Sequence, residues 1–212
     1  MRYGAHVDAA LSSVSLTVSE TCYTDSLPLI PQLFFNNAEF DISSNVFALA
    51  SVILTRDYCG EIAEFASPGV GVEFARAMGI VCAQILSVTP IKGLDRAHST
   101  AELDIVCAPA RLNGLDWAPR DGVPPVLLDW SGDFIAPGTR SSEGFRQGHV
   151  FTNAGLIASE AVVSIAIGLM HGGGLCRNLV VPFVGSAETA RLEPVRRALD
   201  IVGIALSFAP AR

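Results

Sequence analysis

Lysine is nearly missing from this chain: Lys92 is the only one among 212 residues. Charged residues make up only 17%, and the formal net charge is −7. Without clustered lysine and arginine there is nothing to neutralise a phosphate backbone, which excludes nucleic acid as a partner. Long apolar runs are missing as well. The densest stretch, from Ala154 to Met170, is interrupted by Ser159, Glu160 and Ser164, short of the roughly 18 uninterrupted apolar residues that suggest a membrane span. The opening Met1-Arg2-Tyr3-Gly4-Ala5-His6-Val7-Asp8 lacks the charged-then-apolar pattern of a signal peptide. Cys22, Cys59, Cys82, Cys107 and Cys176 form no CxxC pair and are odd in number, which speaks against a zinc site or a disulfide framework. Free thiols in apolar runs, such as Cys82 and Cys107, fit a reducing cytoplasm. His6 and His98 have no acidic or cysteine neighbours that suggest a metal site. There is no tandem repeat and no low-complexity segment.

What is present is apolar. Half of the residues are hydrophobic, enough for a sizeable core in one α/β domain covering 1–212. The low charge suggests either deep burial or a surface covered by a partner. Residues 9–20 alternate small polar and apolar side chains and predict a strand. A turn from Cys22 to Ser26 follows, then a helix starting near Pro28 with Asp25 or Ser26 as its cap. Glu39 to Ile42 reads as a short strand. Ser43 or Ser44 caps a helix from Asn45 to Arg56, with Val46, Leu49, Ala50 and Ile53 at helical spacing. Glu61 to Phe65 returns as a strand, and Ser67-Pro68-Gly69 as a turn.

Glu73 to Ser87 fits helix or strand, its later half, Gly79 to Val88, being rich enough in branched residues for a buried strand. Ala101 to Ala108 and Val126 to Trp130 read as strands. Between them and beyond lies a turn-rich excursion at about 109–148, which includes a loop from Ser131 to Gly148. Ala154 to His171 is helical and apolar on almost every face, so it must be buried on all sides. Gly172-Gly173-Gly174 stops it; with no Lys-Ser/Thr after it, the run is not a phosphate loop. Asn178 to Gly185 reads as a strand in which Pro182 implies an edge or a bulge. Glu193 to Val202 reads as a surface helix and Ile204 to Phe208 as a last strand. A buried helix flanked by buried strands points to a helix sandwiched between sheets.

Several of these segments, in order, resemble landmarks of the thiolase fold, in its β-ketoacyl-ACP synthase III branch. Val7 to Leu33 resembles that family's strand, polar loop and proline-led helix. Phe40-Asp41-Ile42 resembles the strand that leads to the nucleophile, and Ser43 to Leu54 the first central helix. Phe74 to Ser87 looks like a degraded form of the family's acidic, glycine-rich strand. Asn153 to Gly173 resembles the second central helix, which opens with the catalytic asparagine, and Asn178 to Ser186 the closing strand. The resemblance implies mixed sheets around buried central helices, in a chain shorter than a complete synthase.

It also implies what is missing. Counting from Phe40-Asp41-Ile42, the nucleophilic cysteine belongs near Asn45 or Val46, at a helix N-terminus that would favour a thiolate. Neither residue is a nucleophile. The family's histidine belongs after Val126 to Leu128, where Asp129 and Trp130 stand. Asn153 alone matches a catalytic position, and it equally suits a helix N-cap. Cys59 reads as a loop thiol at the far end of the first helix, His149 as a loop histidine near Asn153, and His171 as a cation at a helix C-terminus.

With the cysteine gone, the resemblance implies a non-catalytic synthase-like subunit. It would form a hetero- or homodimer with an active synthase in fatty-acid-like or polyketide acyl-chain biosynthesis and meet acyl carrier protein or acyl-CoA, with no cofactor and no metal of its own. Two alternatives stay open: a small acyl-transfer or hydrolytic enzyme using Cys59 or His149, and an unrelated α/β small-molecule-binding protein.

Overall fold

The computed structural model describes residues 1–212 apart from 9, 11, 22–25, 37–43, 66–68, 86, 90, 93–102, 113–114, 116–124, 133–145, 184 and 211–212. The turn and strand expected at Cys22 to Ser26 and at Glu39 to Ile42 therefore lie wholly or largely outside the described residues. So do His98, Ser67, Pro68 and most of the excursion at 109–148.

The chain is mixed α/β. Its elements are β1 (Arg2–Asp8), β2 (Ser13–Ser19), β3 (Gln32–Asn36), α1 (Asn45–Thr55), β4 (Ile62–Phe65), β5 (Val70–Gly71), α2 (Val72–Val81), β6 (Ser87–Thr89) and β7 (Ile91–Lys92). There follow β8 (Leu103–Pro109), β9 (Val126–Ser131), β10 (Arg146–Thr152), a 3-10 turn (Ala154–Leu156), α3 (Glu160–Gly172), β11 (Cys176–Pro182), α4 (Ser186–Arg191), α5 (Glu193–Ile201) and β12 (Ala205–Ala209). Ten strands join in one sheet, in the order β12-β11-β8-β9-β10-β3-β2-β1-β4-β6, while β5 and β7 pair separately. The run from β12 to β10 is parallel; β10, β3, β2 and β1 are antiparallel neighbours, and β4 and β6 return to parallel pairing.

Register carries one apolar face across this sheet. Tyr3 pairs with Val18, Leu16 with Leu33, Val14 with Phe35, Phe35 with Thr152, Val150 with Trp130, and Leu128 with Cys107. Strand side chains alternate with period two, so all of these point the same way, and all are buried. The helices cover this face. Helix α3 packs against β8, β11 and α1, and α1 in turn packs against α2. The Tyr3 hydroxyl lies 2.9 Å from the Thr55 hydroxyl, which ties α1 to the antiparallel half. The main hydrophobic core extends from Met1 to Leu206, and a smaller cluster of Val106, Ala108, Leu115, Val180 and Ala209 is separate from it.

Helix α1 forms as its sequence predicts. Ser44 accepts a hydrogen bond from the Phe47 amide at 3.0 Å, a side-chain N-cap. Ten of its eleven residues are buried. The hydroxyls of Ser51 and Thr55 donate to the carbonyls of Phe47 and Ser51, so its buried polar groups are satisfied. Helix α3 is apolar all round because the sheet covers one side and α1 another, which meets the burial requirement with a single large sheet. Two glycines allow the close approach. A Cβ on Gly168 would strike Leu179 Cδ1, and one on Gly172 would lie 2.8 Å from Cys176 Cβ. Gly173, at φ 49°, then turns the chain out of the helix.

Five expectations are corrected. No helix starts near Pro28: residues 28–31 are irregular, with a bend at Leu29, and Gln32–Asn36 is strand β3, whose Leu33 and Phe35 alternate inward. Of the two forms open to Glu73 to Ser87, residues 72–81 take the helix, α2, because Phe74, Ala77, Met78 and Val81 recur at helical spacing and are buried together; the strand expected over Gly79 to Val88 starts only at Ser87. Part of the expected loop from Ser131 to Gly148 is strand: β10 begins at Arg146. Helix α3 begins at Glu160, after a 3-10 turn at Ala154–Leu156. Pro182 closes β11, an interior strand, and the irregularity of that strand falls between Cys176 and Asn178. No helix among the described residues is long and apolar enough to cross a membrane.

Candidate functional site

The positions implied by the resemblance lie on or beside the helical face of the sheet. Val46 sits in the first turn of α1 and is buried in the core. Trp130, on β9, is buried, and its indole N–H donates to the Ser164 hydroxyl of α3 at 2.8 Å. The Trp130 ring lies in van der Waals range of the space beside Gly155 (3.5 Å to a Cβ built there), two residues past Asn153. Asn153 does not cap α3. Its carboxamide accepts from the Phe34 amide at 2.9 Å and donates to the Gln32 carbonyl at 3.0 Å. Both bonds go to β3 backbone just past the last β10–β3 residue pair, prolonging the junction.

Cys59 is not an exposed loop thiol. It is 3% exposed, and the Tyr3 hydroxyl lies 2.9 Å from its sulfur. A hydrogen bond with Cys82 and burial both push its pKa up. Cys82 shifts the other way, held low chiefly by the hydrogen bond from Cys59. Cys107 is pushed up by burial and by the nearby Asp129 charge. Cys176 is pushed up to about 12, mainly by burial. A thiol that holds its proton is a poor nucleophile, so three of these four are chemically quiet. Among the described residues no group of three or more His, Cys, Asp and Glu could hold a metal ion.

Among the described residues, the opposite face of the sheet brings a serine hydroxyl and a histidine together. Ser131 ends β9, and its Oγ lies 3.2 Å from Nε2 of His149 on β10. His149 is thus a half-buried strand residue rather than a loop histidine. The parallel register places Asp129 directly opposite His149 and Phe151 opposite Ser131, so all four share this face. The His149 and Phe151 rings meet edge to face with centroids 4.6 Å apart, which fixes the imidazole orientation. Ser131 reads from sequence as the start of a loop and was missed; the signal that could have found it is the alternation of Asp129 and Ser131 with Leu128 and Trp130, which continues the strand by one residue. Missing was the strand β10 that brings His149 beside them.

A separate cavity of about 420 Å³ opens among α1, α3 and α4, lined by Ile53, Arg56, Asp57, Ser159, Glu188 and Arg191 with apolar neighbours. One Glu188 carboxylate oxygen is buried there without a hydrogen-bond partner.

Set against protein-family models, curated proteins and solved structures, the chain matches none.

Proposed function

We propose that this chain is a non-catalytic, thiolase-like subunit that pairs with an active synthase in acyl-chain biosynthesis. The observation that supports it best is the packing of α1 against α3, with apolar Val46 and hydrogen-bonded Trp130 where thiolate and imidazole would stand. Those substitutions leave a tight core in place of reactive groups. A chain built this way contributes shape and surface, and its partner supplies the Cys–His–Asn chemistry on acyl carrier protein or acyl-CoA. The test is affinity purification of the tagged chain from its native cells, with mass spectrometry of what comes with it. Recovery of a full-length synthase bearing the cysteine in near-stoichiometric amount supports the reading. A monomer in light scattering that brings no synthase overturns it.

A second reading is favoured by one contact. The Ser131–His149 hydrogen bond gives His149 a hydroxyl to act on, which suits a small acyl-transfer or hydrolytic enzyme. Burial and the raised pKa of Cys59 remove the cysteine arm of that alternative.

A further inference from the structure

We propose that Ser131 and His149 are a nucleophile–base pair that cleaves small acyl esters or thioesters. The inference rests on the second reading above and replaces the non-catalytic first one; it names the nucleophile and substrate class which the second reading leaves open.

Geometry comes first. An Oγ to Nε2 distance of 3.2 Å is within the reach a general base needs for a serine hydroxyl. Both residues sit on adjacent paired strands of the sheet, one on the last residue of β9 and the other within β10, so the pair is held by backbone register. Phe151 fixes the ring from the side. Ser131 and His149 are both half-buried and lie on the sheet face away from the helices, in a place where solvent still reaches. The ring of Phe34, nearly half exposed, lies on that same face on β3, the strand next to β10. It offers apolar ground for an acyl chain.

The chemistry balances without a cofactor. With the imidazole proton on Nδ1, Nε2 accepts the Ser131 proton as Oγ bonds to the acyl carbon. The bond from that carbon to the leaving oxygen or sulfur then breaks, and the imidazolium returns its proton to the departing alcohol or thiol. A water molecule next gives its proton to Nε2 and its hydroxide to the acyl carbon. The acyl–Oγ bond breaks, Ser131 recovers its proton, and the product is a carboxylic acid. The net reaction is ester or thioester plus water giving acid plus alcohol or thiol.

The full-length chain is tested with a fluorophosphonate probe and with p-nitrophenyl butyrate. The expected result is selective probe attachment to Ser131, located by peptide mass spectrometry, together with ester hydrolysis that Ser131→Ala abolishes. His149→Ala and His149→Gln lower both rates on the order of 100-fold or more, with circular dichroism unchanged in at least the glutamine variant. Ser87→Ala, exposed on the far edge strand β6, changes neither by more than about twofold. Labelling spread over several serines and insensitive to His149→Gln overturns the proposal. Hydrolysis that survives Ser131→Ala but falls with His149→Gln overturns Ser131 as nucleophile while leaving His149 as a base. Absence of both labelling and hydrolysis overturns the proposal and the second reading together.

Discussion

The indole N–H of Trp130 donates to the Ser164 hydroxyl at 2.8 Å, and the bond joins strand β9 to the middle of helix α3 inside the core. Ser164 is fully buried and Trp130 nearly so. Removing the acceptor leaves the indole donor with no water to replace it, at a cost of about 1–3 kcal/mol. Ser164→Ala should therefore lower the thermal midpoint by roughly 2–4 °C per kcal/mol for a chain of this length. Ser164→Thr, which keeps a hydroxyl, should lose less unless its extra methyl overpacks the site. Calorimetry of the two variants side by side decides whether the bond or the volume matters.

Asn153 gives a sharp contrast between structural and catalytic roles. Its amide both accepts from Phe34 and donates to Gln32. Asn153→Asp keeps the acceptor and loses the donor, so it should destabilise the fold by about 1 kcal/mol or more. Asn153→Ala loses both and should cost more. Urea midpoints that stay at the wild-type value in both variants would show that these bonds contribute nothing to stability.

Close packing at the end of α3 predicts an ordering of two alanine variants. A Cβ at Gly168 meets chiefly the tip of Leu179, which can swing aside. At Gly172 it meets Ile105 and the Cβ of Cys176, the latter at 2.8 Å, and that atom is fixed to the backbone of β11. Gly172→Ala should be destabilised by about 1–3 kcal/mol. Gly168→Ala should be milder, because it lies inside the helix and gains the full propensity of about 1 kcal/mol, whereas Gly172 is the last helical residue. Equal stability of the two in chemical denaturation would contradict this account.

Buried thiols set the alkaline limit. The Cys176 pKa is pushed up to about 12 from an ordinary value of 9.0, mainly by burial, and Cys107 and Tyr3 are raised as well, again chiefly by burial. A raised pKa means the folded chain keeps protons that the unfolded chain releases. The stability they represent is full below about pH 9 and is lost as pH rises towards 12. The urea midpoint should fall between pH 8.5 and 11 (about the ordinary thiol range and above), and Cys176→Ala should flatten the fall. In native protein at about pH 8, near the ordinary thiol pKa, iodoacetamide should leave Cys107 and Cys176 untouched until the chain is unfolded.

The ion pair of Asp104 and Arg177 should outweigh the exposed one of Arg111 and Glu160. Asp104 is 5% exposed, and both Nε and an Nη of Arg177 approach one of its oxygens at 3.1–3.2 Å. Arg177→Ala strands a buried carboxylate and should cost about 1–3 kcal/mol, discounted because the arginine side chain is 41% exposed. Arg111→Ala, on a solvated pair, should be close to neutral by the same calorimetric measure.

Sequence patterns alone determined the elements whose signals are local. Ser44 and the spacing of Val46, Leu49, Ala50 and Ile53 specify α1, because a cap and a 3.6-residue period act within one turn or two. The alternation of Val14, Leu16 and Val18 specifies β2 in the same way, and the all-round apolar run specifies a buried α3. Tertiary structure decided the rest. Strand β3 prevailed over a helix at Pro28 because Leu33 and Phe35 complete a face supplied by β2 and β10. Cys59 became an inert core thiol because Tyr3, fifty-six residues earlier, packs on it. His149 acquired a hydroxyl partner because the pairing of β9 with β10 brings residues 131 and 149 side by side. A local sequence window holds propensity and period; it does not hold which distant strand lies alongside, and at this site strand pairing sets the chemistry.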